Sequence, residues 1–258
     1  MIMRDVQNDR DKRNIPVDMV GVRSVMYPIV VLDKENQNQN TVGSFNICVD
    51  LPKDFRGTHM SRFIEVLDSH NKKITPRNMK HILDDILRSL DAAVAHLKVE
   101  FPYFIRKQAP VSRVESYSSY KCSFTATKNN HFDFVLGVSV PVMTVCPCSR
   151  EISDRGAHNQ RAETHVQLRM NSLVWIEDVV QIVEDSASSP VFSLLKREDE
   201  KFVTENSYDN PRFVEDLSRE IVQKLEMDRR ISWYKVEVTS MESIHNHEAY
   251  ACIERKDD

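Results

Sequence analysis

Apolar and polar positions along this chain alternate between two periods, one near two residues and one near 3.6. Over residues 20–32 the chain is rich in β-branched residues: Val20, Val22, Val25, Ile29, Val30 and Val31, with Tyr27 among them. The polar run Lys34-Glu35-Asn36-Gln37-Asn38-Gln39-Asn40 predicts a loop. Gly43, Phe45, Ile47, Val49 and Leu51 then alternate with Ser44, Asn46, Cys48 and Asp50. A period of two marks a half-buried strand, so the two segments predict a hairpin. Met60, Phe63, Ile64 and Leu67 take up helical spacing. Thr75-Pro76 predicts a helix start, with Thr as the capping residue and Pro in the first turn. The stripe Met79, Ile82, Leu83, Ile86, Leu87, Leu90 and Val94 follows it on one face. Strands are predicted again through Leu97, Val99, Phe101, Tyr103 and Ile105, and through Tyr120, Cys122, Phe124 and Ala126.

Beyond a turn at Lys128-Asn129-Asn130 the same order returns. Phe132, Phe134, Leu136, Val138 and Val140 predict one strand, and Thr164, Val166, Leu168 and Met170 a second. Trp175, Ile176, Val179, Val180 and Val183 predict a helix. Asn210-Pro211 predicts the start of another, carrying Phe213, Val214, Leu217, Ile221 and Leu225. Strands near 231–238 and 248–253 close the chain. The pattern is β-β-α-α-β-β twice, repeated in order rather than in residue identity. It predicts an α+β fold of antiparallel sheets, each with a helix pair on one face. The expected division is an N-terminal arm over 1–15, a first module over 16–128 and a second over 129–258. Open sheet edges are a liability that joining sheets and chains would cover, so an oligomer is expected.

Composition narrows the class. Of 258 residues, 41% are hydrophobic and 29% charged, which suits a globular chain rather than a disordered one. The net charge of −4 does not suit a general nucleic-acid binder. No apolar run approaches the ~20 residues of a membrane span. Residues 1–10 lack the apolar core of a secretory leader, so a cytoplasmic protein is expected. In that setting Cys48, Cys122, Cys146, Cys148 and Cys252 suit metal or catalytic use better than disulfides.

The candidate chemistry lies in polar clusters. Cys146-Pro147-Cys148-Ser149-Arg150 precedes Gly156-Ala157-His158-Asn159-Gln160-Arg161. The two thiols could bind metal, exchange electrons or fill space. No Cys-x-x-Cys pair supports a structural zinc site. His158 shares the loop system and is a candidate ligand beside Cys146. A catalytic metal takes about three protein ligands and an open position, so a third would come from elsewhere. Glu200, in the charge run Glu198-Asp199-Glu200-Lys201, is one source, though such runs are commonly solvated faces. Glu215 sits at the edge of an apolar stripe, where it would face either water or a subunit seam. Glu242, His245 and His247 suit proton transfer near neutral pH, and in an extended segment the two histidines share a face. Arg56-Gly57-Thr58-His59-Met60-Ser61-Arg62, ahead of a helix, could meet an anion.

Together these stretches resemble the type IB GTP cyclohydrolases, which make the first pterin precursor of folate. The resemblance rests on Arg13-Asn14-Ile15-Pro16, Gly57-Thr58-His59-Met60-Ser61-Arg62-Phe63, Phe101-Pro102-Tyr103-Phe104, Ala109-Pro110-Val111-Ser112 and Cys146-Pro147-Cys148-Ser149. It continues in Gly156-Ala157-His158-Asn159-Gln160-Arg161, Trp175-Ile176-Glu177-Asp178-Val179, Tyr208-Asp209-Asn210-Pro211 and Glu242-Ser243-Ile244-His245-Asn246-His247. It implies the tunnelling fold, with two β-β-α-α-β-β modules per chain and four chains closing their sheets into a barrel, active sites at the seams. It implies hydrolysis of GTP to 7,8-dihydroneopterin triphosphate and formate, by metal-activated water adding to carbon 8 of guanine. One divalent zinc, manganese or iron per site would be held by Cys146, His158 and Glu200. His245, with Glu242, would transfer protons. Glu215 would hold the guanine N–H edge, and His59, Arg62 and Arg161 would meet the triphosphate. Two alternatives stay open. One is another pterin or purine enzyme of the same fold, such as an aldolase, epimerase or nitrile reductase. The other is a non-catalytic metal or redox sensor using Cys146 and Cys148.

Overall fold

The computed structural model describes residues 7, 9–70 and 72–256. The chain divides into two compact units. One runs to Pro102 and takes in Ser123–Val135; the other combines Tyr103–Cys122 with everything from Leu136 onward. Of the proposed N-terminal arm, residues 1–6 and 8 lie outside the described residues; within the rest, Arg10 forms an isolated bridge with Phe55.

In the first unit, β1 (Val17–Asp33) and β2 (Gln37–Leu51) form the expected hairpin. The strand begins inside the polar run, at Gln37, whose positive φ of 66° completes the turn. The Ala95–Pro102 part of β3 (Ala95–Gln108) pairs with β2 antiparallel; the rest of β3 and the Glu115–Cys122 part of β4 (Glu115–Lys128) belong to the second unit. Gly21 is required where β1 crosses β2: a Cβ there would lie 1.9 Å from the carbonyl oxygen of Ile47. The helices are α1 (Met60–Ser69) and α2 (Pro76–Leu90). Thr75 caps α2, its hydroxyl accepting from the N–H of Asn78 at 3.2 Å. Val94 falls outside the predicted stripe, because Asp91 turns left-handed (φ 51°) and ends the helix. Ile29, Val31, Phe45, Ile47, Val49, Leu97 and Val99 alternate along the strands as buried residues. Phe63, Leu67, Met79, Ile82, Leu83 and Ile86 supply the helical side of that core. Each such side chain contributes roughly 1.5–3 kcal/mol on burial.

In the second unit, β5 (Phe132–Val145), β6 (Asn159–Met170), β8 (Ile231–Met241) and β9 (Glu248–Glu254) pair antiparallel in that order, and the short β7 (Ser189–Pro190) pairs with β5. Between them lie α3 (Pro147–Ile152), α4 (Ile176–Glu184), α5 (Arg197–Asp209) and α6 (Val214–Met227). Two helices here were not predicted. α3 begins in the reactive loop, with Cys146 as its N-cap residue. α5 grows from the charge run, whose Asp199 is fully buried rather than solvated. Asn210 closes α5 instead of opening the next helix, and α6 starts at Val214 behind Phe213. The Asp216 carboxylate reaches back to accept from the Phe213 N–H at 3.1 Å. The core is built from Leu136, Val138, Val140, Val166, Leu168, Val236 and Val238, with Val179, Val183, Leu217, Ile221 and Leu225 on the helices. No helix among the described residues is long and apolar enough to cross a membrane.

Candidate active site

β5 and β6 are neighbours, and their ends set the first half of the site. The register closes at Val145↔Asn159. One residue further, the Cys146 N–H donates to the His158 carbonyl at 3.1 Å. Between these two positions the chain makes α3 and returns through Gly156, whose φ of +96° suits only glycine. Ser149 stitches the excursion shut. Its hydroxyl donates to the Cys146 carbonyl at 3.2 Å and accepts from the His158 N–H at 3.2 Å, and its own N–H points at the Cys146 sulfur at 3.5 Å. The His158 ring is oriented as well. Its Nδ1 lies 2.9 Å from the Gln160 side-chain carbonyl, which can only accept, so Nδ1 carries the proton and Nε2 keeps its lone pair. Arg150 anchors α3 to the end of α5, 3.9 Å from the Asp209 carboxylate and 4.8 Å over the Tyr208 ring.

The second half comes from the start of α6 and the turn between β8 and β9. Arg212 N–H donates to the Val145 carbonyl at 3.0 Å, which ties the approach to α6 to the end of β5. Ser240, at the end of β8, donates its hydroxyl to Glu242 at 3.1 Å. The predicted extended segment through His245 and His247 is a run of bends instead. The two rings nevertheless face each other, with centroids 5.0 Å apart and planes 15° from parallel. Tyr250, on β9, donates to Glu237 at 2.7 Å; that carboxylate beside the phenol raises its pKa.

These pieces enclose an open pocket of about 320 Å³. Cys146, His158, Glu215, Glu242 and His245 all line it, as does His247. Glu200, His59, Arg62 and Arg161 do not. Glu200 is exposed in the first turn of α5. Its neighbour Asp199 holds that turn in place, accepting from the N–H groups of Val111, Ser112 and Lys196 and from the Ser112 hydroxyl at 2.6–2.9 Å. Burial opposes the Asp199 charge, but these donors more than offset it and hold the carboxyl well below the usual range. In the first unit, His59 precedes α1 and Arg62 donates to the Ser89 carbonyl at 2.8 Å. Arg161 lies on β6.

Sequence reasoning missed Thr144, Arg212 and Phe213 as pocket residues. The sequence carried no signal for Arg212, because a helix start read at Asn210-Pro211 puts it inside the helix, whereas the helix begins at Val214.

The donors suit a borderline-soft divalent metal. Cys146 offers a sulfur and His158 the Nε2 of an imidazole whose Nδ1 faces the Gln160 side chain. Among the described residues, no three His, Cys, Asp or Glu side chains are placed to hold a metal by themselves. A complete shell therefore needs a further donor.

The family model of the type I GTP cyclohydrolase folE2 matches residues 3–251. The chain is 68% identical over 253 residues to the GTP cyclohydrolase FolE2 of Kosmotoga olearia, covering 98% of each chain. It is 54% identical to that of Thermosipho africanus, covering 97% of each. Among solved structures it is similar to the uricase of Arthrobacter globiformis, at 9% identity and a TM-score of 0.54, over 93% of this chain and 94% of the other. The urate oxidase of Bacillus sp. TB-90 matches at 10% identity with a TM-score of 0.56, over 93% of this chain and 100% of the other. At such identity these two show the fold alone, and it is the tunnelling fold. With nearly the whole length matched, the chain belongs to the type I GTP cyclohydrolase FolE2 family.

Proposed function

We propose that this chain hydrolyses GTP to 7,8-dihydroneopterin triphosphate and formate, the entry to folate synthesis. The observation that carries the reading is the gathering of Cys146, His158, Glu215, Glu242 and His245, from four separate segments, around one pocket. Cys146 and His158 would hold a divalent zinc, iron or manganese, which when bound supplies Lewis acidity at neutral pH. Glu215 accepts the two N–H donors on the guanine edge, a pairing adenine cannot offer. His245 takes and returns the proton as water adds at carbon 8 and the imidazole ring opens. Glu242, steadied by Ser240, sets the imidazole's charge balance.

The third metal donor in this reading is Glu200. It lies outside the protomer's pocket and is exposed, so a second copy of the chain would have to present it. Assembly is supported by β1 and β9, which end the strand order, each with one neighbouring strand among the described residues. A homotetramer with sites at the seams, with His59, Arg62 and Arg161 toward the triphosphate, completes the proposal. The five cysteines are all free, which suits a cytoplasmic enzyme.

The test is direct. Metal-loaded protein incubated with GTP should release formate and yield a pterin that fluoresces after oxidation. Loaded protein that yields neither sinks the reading. Turnover of another pterin or purine would favour the sister-enzyme alternative.

A further inference from the structure

Arg212 has an unusual setting. It stands immediately ahead of the 14-residue helix α6, where the helix dipole disfavours a cation. It is half-buried and lines the pocket. Its Nη1 donates to the Pro211 carbonyl at 3.4 Å, a long bond. Its Nε is buried with no hydrogen-bond partner among the described residues. Glu215, on the first turn of the same helix, lines the same pocket, and no ion pair joins the two among the described residues. A half-buried guanidinium whose Nε lacks a partner is costly unless a ligand meets it. The pocket holds a second orphan: Thr144 is 1% exposed, and its hydroxyl has no partner among the described residues.

We infer that Arg212 is the donor that reads the carbonyl at position 6 of the bound purine, and with Glu215 determines specificity for guanine. The inference rests on the GTP reading of the pocket and goes beyond it. Guanine presents one acceptor, O6, beside two donors, N1–H and the 2-amino group. Glu215 can only accept and Arg212 can only donate, so the pair complements that edge group by group. Adenine, with a donor at position 6, meets a second donor there. The guanidinium fork is also suited to O6, the commonest arginine contact to guanine. Phe213, between the two in sequence and lining the pocket, offers an aromatic surface for the base.

The experiment uses ligands that cannot be ring-opened, so binding is read without turnover. 7-Deaza-GTP keeps O6, N1–H and the 2-amino group; its 6-thio counterpart replaces O6 with a poor acceptor. Dissociation constants are measured by calorimetry for metal-loaded native protein, Arg212→Gln and Glu215→Gln. Arg212→Gln should weaken 7-deaza-GTP about 10- to 100-fold and the 6-thio ligand far less. Glu215→Gln should weaken both alike. Equal losses for the two ligands in Arg212→Gln would place the arginine elsewhere than O6 and overturn the inference, as would no loss. If native protein binds neither ligand, the GTP reading falls, and the inference with it. If Arg212→Gln keeps native affinity for the 6-thio ligand, the variant is folded, which separates a lost contact from a lost fold.

Discussion

The main-chain N–H of Cys146 donates to the main-chain carbonyl of His158 at 3.1 Å. The two proposed metal donors are thus fixed to each other by the backbone, before their side chains do anything. What remains adjustable is the His158 ring, and Gln160 sets that. Gln160→Ala should weaken divalent-metal affinity about 10- to 100-fold, as loss of a partner behind a metal-bound histidine commonly does. Competition with a chelating dye reads this directly. Unchanged affinity would mean the 2.9 Å contact does not orient the ring.

Gly156 is where the chain turns back toward His158. Nothing lies within 4 Å of a Cβ built there, so its constraint is conformational and not steric. Gly156→Ala should cost about 1–3 kcal/mol through the φ of +96°. Metal content should fall with it, because relief of the strain moves His158. A variant with native stability in urea would count against that view of the turn.

His245 tests the chemistry. His245→Asn should lower kcat by about 10²- to 10⁴-fold and leave KM for GTP nearly unchanged, as expected for lost proton transfer. A rise in KM alone would reassign the residue to substrate binding.

Asp199 makes stability depend on pH. Its unfolded carboxyl titrates near 3.8 and its folded carboxyl well below that. The folded state therefore binds fewer protons in acid, and the contribution is complete above about pH 5. It is lost as pH falls through the folded value. Asp199→Asn should lower the melting temperature at pH 7 and flatten its decline on the acid side of about pH 4. Melting curves from pH 7 downward measure both; a midpoint equal to native at pH 7 would contradict the assignment.

The second unit also holds a buried cation. Lys107 donates to Glu184 at 2.7 Å and to the Val191 carbonyl at 3.1 Å, and the Tyr120 hydroxyl donates to the same carboxylate at 2.9 Å. The two charged side chains are only 11% and 7% exposed. Lys107→Met leaves Glu184 buried without its counter-charge and should cost about 3–5 kcal/mol. Urea denaturation of the single variant and of Lys107→Met/Glu184→Gln separates the causes: the double variant should recover part of the loss.

The elements readable from sequence were those whose packing imposes a period. The strand pairs, α1, α2, α4 and α6 each bury one face, and the apolar positions say so. α5 has no such stripe. It is held through Asp199, which reads as one more acid in a charge run, because burial with four donors leaves no mark in composition. For the same reason the approach to α6 was misplaced by a few residues: Asn210 looks like a start and serves as an end. Cys146 and His158 were visible because they share a loop with a turn glycine. Arg212 was not, since nothing in a lone arginine tells that its Nε is enclosed. Glu200, by contrast, was singled out in sequence and stands exposed and apart from the pocket, so its role as a metal donor rests on the proposal that a second copy presents it.

The hydrogen bond from the Arg212 N–H to the Val145 carbonyl joins the proposed purine end of the pocket to the proposed metal end. It is main chain to main chain, so side-chain replacement at either position leaves it standing. The spacing between base and metal donors is therefore insulated from most sequence drift. Only a proline at 212 would remove the donor and let the two ends part.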